Sequence, residues 1–117
     1  RYSEISADRA GFLCCGGDLK VAQKALLRLS GGFSNTDEMD VNQYIEQCLQ
    51  SLEDHKVGAV NEYFMNHPLI PKRLKALELF SRSEMFYRVT NKSYSADDKL
   101  LNDNTLNDLV NEAIKVL

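Results

Sequence analysis

The sequence predicts an all-α fold, a single helical domain of about five to six helices, on three observations. Apolar residues recur at spacings of three and four along several stretches, Gly and Pro stand at the ends of those stretches, and no segment keeps an alternation of period two. At 117 residues the chain has the length of one domain and one modest core. No repeat suggests a solenoid.

The first helix runs from Tyr2 to Cys15 through good helix formers and small residues, and Gly16-Gly17 stop it because Gly adopts the left-handed conformation that ends helices. Asp18 is a ready N-cap for the next, LKVAQKALLRLSGG. There Val21, Ala25 and Leu29, or Ala22, Leu26 and Leu29, form the apolar side, and Gly31-Gly32 close it. After the loop FSNTDEMD, Asp40 or Thr36 starts a third helix carrying Val41, Tyr44, Ile45, Cys48, Leu49 and Leu52. A fourth piece carries Val57, Val60, Tyr63 and Phe64, and breaks at NHPLIP, where two prolines remove backbone donors. Pro71 suits the first position of a fifth helix presenting Leu74, Leu77 and Phe80 or Leu79. Ser83 caps a short turn, SEMFYRVT, and NKSYSADDK reads as a loop. A last helix from about Thr105 carries Leu106, Leu109, Val110, Ala113, Ile114 and Leu117.

Composition narrows the function. Hydrophobic residues at 44% and charged residues at 26% are ordinary for a globular chain, and a net charge of -3 provides no broad basic field for nucleic acid. No run reaches the roughly 20 apolar residues of a membrane helix, and no secretory signal opens the chain. Three cysteines, two of them adjacent, read as reduced thiols, so a soluble, intracellular segment is expected. The glycine pairs do not continue as a phosphate loop, and no Ser nucleophile has a base at a recognisable spacing.

Glu4 and Asp8 stand four apart and therefore share one helix face, at a mutual repulsion of roughly 0.2 to 0.5 kcal/mol on an isolated helix. A cation is expected opposite them. Ala7 and Gly11 leave little bulk on that face, so another helix could approach it closely. Taken alone, such a pair reads as solvated carboxylates near a positive helix end. In a zinc site it has two tasks: one carboxylate ligates the metal and the other orients a ligand histidine. The chain has only His55 and His67, in different segments, and no HExxH. His67 precedes Pro68 at a rigid bend, and Lys72 and Arg73 fall in the first turn of the helix that follows, where cations oppose the helix dipole. A nearby anion would explain them.

Two motifs in order now bear on the class. The opening R-x-x-E-x-x-A-D-R-A-G, as Arg1, Glu4, Ala7, Asp8, Arg9, Ala10 and Gly11, resembles the third-ligand helix of the HtpX-like and CAAX-prenyl-protease-like zinc metallopeptidases, which are gluzincins. Downstream, HPLIPKRLKAL resembles their H-P-x(n)-R-[IL]-x-x-L motif, with His67, Pro68, Arg73, Leu74 and Leu77 in the matching places. The likeness runs from Arg1 to about Phe80 and leaves the remainder unassigned.

The resemblance implies that Glu4 is the third protein ligand of a catalytic zinc and Asp8 the partner of a ligand histidine. It implies that His67 and Arg73 lie at the cleft, His67 contacting substrate or the tetrahedral intermediate, and Arg73 holding a carboxylate or supporting that contact. An upstream HExxH would supply two ligands and the general base. On this reading residues 1–117 are the C-terminal helical portion of a larger zinc metalloendopeptidase domain acting on peptide or protein substrates. The segment alone would then be inactive and hold zinc weakly, because a catalytic site wants three protein ligands. Relatives often carry membrane helices upstream, so the parent protein is open to membrane association. The contrasting expectation is a non-catalytic helical interaction module, or a degenerate peptidase remnant, whose carboxylates only form ion pairs.

Overall fold

The computed structural model describes residues 2–31, 40–54 and 69–114, without the side chains of a few residues within those ranges. The segment Val57–Phe64, both histidines, Pro68, the side chains of Leu49 and Leu52, and Leu117 lie outside the described residues. The described residues form six α-helices: α1 (Tyr2–Cys14), α2 (Leu19–Gly31), α3 (Val41–Asp54), α4 (Leu69–Ser81), α5 (Glu84–Val89) and α6 (Asp103–Ala113), with a 3-10 turn at Ala96–Asp98. The fold is all-α; the one β-type pairing among the described residues is an isolated parallel bridge, Ser83 to Leu101.

The helices begin and end for local reasons. Gly16 and Gly17 take φ of +70° and +75° and stop α1. Asp18 then caps α2, its carboxylate accepting from the Val21 N–H at 3.2 Å, and Asp40 caps α3 in the same way through the Gln43 N–H at 3.1 Å. The hydroxyl of Ser83, fully buried, donates to the Phe80 carbonyl at 2.6 Å and accepts from the Phe86 N–H at 3.1 Å, so a single oxygen joins the end of α4 to the start of α5. Three boundaries differ from expectation. α4 begins at Leu69, so Pro71 is its third residue, still within the first turn, where an N–H has no intrahelical acceptor to lose. α6 begins at Asp103, because the Asn102 side chain accepts from the Thr105 N–H at 2.8 Å and captures the cap position ahead of Thr105. The NKSYSADDK segment contains the 3-10 turn, where Asp98 accepts from the Ser95 N–H at 2.8 Å.

The core is centred on α4. Ile70, Pro71, Leu74, Ala76, Leu77, Leu79 and Phe80 are all buried, so this helix is apolar around most of its circumference, as a helix enclosed by neighbours must be. α1, α2, α3, α5 and α6 all pack on it. Both sequence alternatives, Phe80 and Leu79, are buried. From α2 come Ala22, Leu26 and Leu27, while Val21 and Leu29 are 50% and 88% exposed, so of the two expected sides the Ala22 and Leu26 one packs, rotated toward Leu27, and Leu29 faces solvent. That rotation buries Gln23, whose amide donates to the Leu74 carbonyl at 3.2 Å and thereby satisfies itself across the α2–α4 contact. From α3 come Val41, Ile45 and Cys48, and from the last segment Leu106, Val110 and Ile114, with Leu109 left outside.

Candidate functional site

On α1 the packed side is Ile5 and Phe12, with Asp8 and Arg9 between them partly covered. Glu4, Ala7, Ala10 and Gly11 are exposed. A Cβ added at Gly11 would meet nothing within 4 Å among the described residues, so no described helix makes the close approach that the small residues allow. The reason is the phase of Ile5 and Phe12. These large apolar residues turn their own side toward α4, and the small-residue side is left outward.

Asp8 and Arg73 meet across the α1–α4 contact. Arg73 donates through Nε to one carboxylate oxygen and through Nη2 to the other, both at 2.8 Å. The side chains are 10% and 18% exposed for Asp8 and Arg73 respectively. The cation demanded by the carboxylate pair and the anion demanded by Arg73 are thus each other. Because α4 starts at Leu69, Arg73 is its fifth residue, one place beyond the first turn. Asp8 holds the guanidinium charged, by its hydrogen bonds first and its charge next, with a smaller contribution from Glu4; burial acts against them. Lys72 is half-buried and also makes polar contacts of its own.

Glu4, one turn before Asp8, has no hydrogen bond or ion pair to any described residue. It is an outward, exposed carboxylate whose neighbouring carboxylate is held in place. A carboxylate oxygen has two acceptor sites and the Arg73 fork uses one on each oxygen of Asp8, so each oxygen retains capacity for one further donor, such as a ring N–H. His67 lies outside the described residues. Among those described, no group of three or more His, Cys, Asp or Glu side chains could hold a metal ion. The described chain therefore fits one ligand and its orienting neighbour, not a complete metal site.

Arg9 was quoted in the motif but given no role by spacing. Its guanidinium lies 4.8 Å from the Phe80 ring centroid, and its Nε is buried without an acceptor among the described residues. Burial pushes its pKa down. The aromatic group Phe12, Phe80 and Phe86 also escaped the sequence reading, although Phe12 follows Asp8 by four residues and so had to share its side. Cys14 is exposed, Cys15 half-buried and Cys48 buried; burial pushes the Cys48 thiol up to about 11, against a hydrogen bond with Tyr44 that lowers it.

The all-helical fold thus presents an exposed carboxylate, Glu4, one turn from the arginine-clamped Asp8. The model of peptidase family M48 matches residues 1–80, and the chain belongs to that family. It is accordingly a member of a family of metallopeptidases, which are hydrolases. No curated protein and no solved structure matches it significantly. No described helix is long and apolar enough to cross a membrane.

Proposed function

We propose that residues 1–117 form the C-terminal helical portion of a zinc metalloendopeptidase domain, of the HtpX-like and CAAX-prenyl-protease-like kind, whose HExxH helix is supplied by a part of the protein outside this sequence. The observation that supports this is the family match over the two helices that carry Glu4, Asp8 and Arg73, together with the exposure of Glu4 beside the held Asp8. When bound, zinc supplies Lewis-acid activation of water for peptide hydrolysis. Glu4 provides one ligand carboxylate. Asp8 accepts the ring N–H of a ligand histidine and so sets its tautomer and direction. Arg73 engages both oxygens of Asp8, which makes it a support for that carboxylate in preference to a direct substrate contact. His67 is assigned to the substrate or the tetrahedral intermediate. This segment alone, with one ligand, holds zinc weakly and does not hydrolyse peptides.

A second reading has its own observation: the Asp8–Arg73 pair is complete without any metal, as in a non-catalytic helical interaction module or a degenerate remnant. One substitution separates them. In the longer protein Glu4→Gln should abolish stoichiometric zinc and casein hydrolysis, whereas His67→Ala should lower turnover with zinc retained. Unchanged zinc content in Glu4→Gln, or an upstream coding sequence without HExxH, would overturn the peptidase reading.

A further inference from the structure

The family match ends at Phe80, yet the chain beyond it enters the core beside the carboxylate helix. Phe86, on α5 and 3% exposed, stacks on Phe12 of α1 with ring centroids 4.9 Å apart and planes at 17°. It meets Phe80 of α4 edge-on at 5.6 Å, and Phe80 meets Phe12 edge-on at 6.0 Å, so three rings join three helices. The tip of the Phe86 ring abuts Gly17, where an added Cβ would lie 3.1 Å from it, and the Lys92 ammonium lies over the ring, 5.2 Å from its centroid.

Phe86 is itself firmly anchored. Its own N–H is held by the buried Ser83 hydroxyl, and the strand-like bridge ties α5 to the segment leading into α6, with Glu84 N–H donating to the Leu101 carbonyl and Leu101 N–H to the Arg82 carbonyl, each at 2.9 Å. Leu106, Val110 and Ile114 then bury α6. Phe12 lies one helical turn beyond Asp8 on α1, and Phe80 lies two turns beyond Arg73 on α4. The ring cluster and the Asp8–Arg73 fork are therefore two successive attachments of α1 to α4.

We infer that Phe86 is a positioning residue for the α1 carboxylates: the segment beyond residue 80 clamps Phe12 and thereby holds Asp8, and Glu4 one turn before it, in register with Arg73. The functional value of this register rests on the peptidase reading; the clamp does not. Shortening the Phe86 side chain frees space beside Phe12, and since the fork needs both oxygens aligned with Nε and Nη2, a small shift of α1 degrades it from two bonds to one.

The test is NMR of Arg73 in the 117-residue chain. In Phe86→Leu, solvent exchange of the Arg73 Nε proton should quicken about tenfold with the helical signal retained. Val41→Ala, a comparable core truncation on α3, should leave it unchanged. Should Phe86→Leu fail to fold, Phe86→Met is read by the same criterion. Exchange in the Phe86 variant no faster than in Val41→Ala overturns the clamp and leaves Phe86 a stability residue only. In the longer protein the same variant should release zinc to a chelator about tenfold faster. There, Glu4→Gln with full zinc content sinks the peptidase reading, while the Arg73 exchange still decides the clamp.

Discussion

Removing the charge of Asp8 while keeping its shape, as Asp8→Asn, puts the α1–α4 contact to a quantitative test. Exposed ion pairs contribute about 0 to 1 kcal/mol, and breaking a fully buried pair costs about 3 to 5. This pair is nearer the buried limit, at 10% and 18% side-chain exposure, and it is bidentate at 2.8 Å on both arms. The amide retains one acceptor for the fork, which offsets part of the loss, so roughly 2 to 3 kcal/mol is expected for Asp8→Asn in urea unfolding. Arg73→Met should cost a similar amount, and the double variant much less than the sum, with a coupling of about 2 kcal/mol. A useful contrast is Arg88 with Asp103, which is equally short at 2.7 and 2.8 Å but has side chains 48% and 46% exposed, so Arg88→Ala should fall within the error of the fit. Additive singles at Asp8 and Arg73, or an Asp8→Asn effect no larger than that of Arg88→Ala, would refute the reasoning that burial rather than geometry sets the strength of this pair.

Two further outcomes are expected. Gly16→Ala and Gly17→Ala both put a side chain at positive φ, which costs about 1 kcal/mol or somewhat more. Gly17→Ala must also displace Phe86, whereas Gly16 has open space, so thermal unfolding should show Gly17→Ala as clearly the more destabilised. Thiol titration should label Cys14 first and leave Cys48 unreactive until unfolding, since a rise from 9.0 to about 11 lowers its thiolate fraction near neutral pH about a hundredfold. The sign of the linked stability follows. The folded protein keeps that proton between the unfolded and folded pKa values, so this contribution is intact below about pH 9 and declines as pH rises through 9 to 11. Flat stability across that range would remove the assignment.

Much of the fold was legible because its signals are local. The stop at Gly16-Gly17, the caps at Asp18, Asp40 and Ser83, and the apolar spacing of Leu74, Leu77 and Phe80 depend on residues within a turn or two of each other. Boundaries slipped where two local options were nearly equal, as with Asn102 against Thr105, and where Pro71 could occupy any place in the first turn. Of the two apolar sides open for α2, the α4 surface selected that of Ala22 and Leu26, but with Gln23 and Leu27 in place of Leu29, because helical spacing leaves the exact rotation open.

The carboxylate pair divides in the same way. That Glu4 and Asp8 share a side follows from a spacing of four and the helical repeat, and that each charge needs a partner follows from electrostatics alone. Which cation answers does not follow, because Asp8 and Arg73 are 65 residues apart and only the packing of α1 on α4 brings them to 2.8 Å. The same packing left Glu4 exposed, turned Gly11 outward, and recruited Phe86 from beyond the family's matched residues to close over Phe12. Spacing along a helix is set by hydrogen bonds four residues apart, whereas pairing between helices is set by the complementarity of whole surfaces, which becomes visible only once the chain is folded.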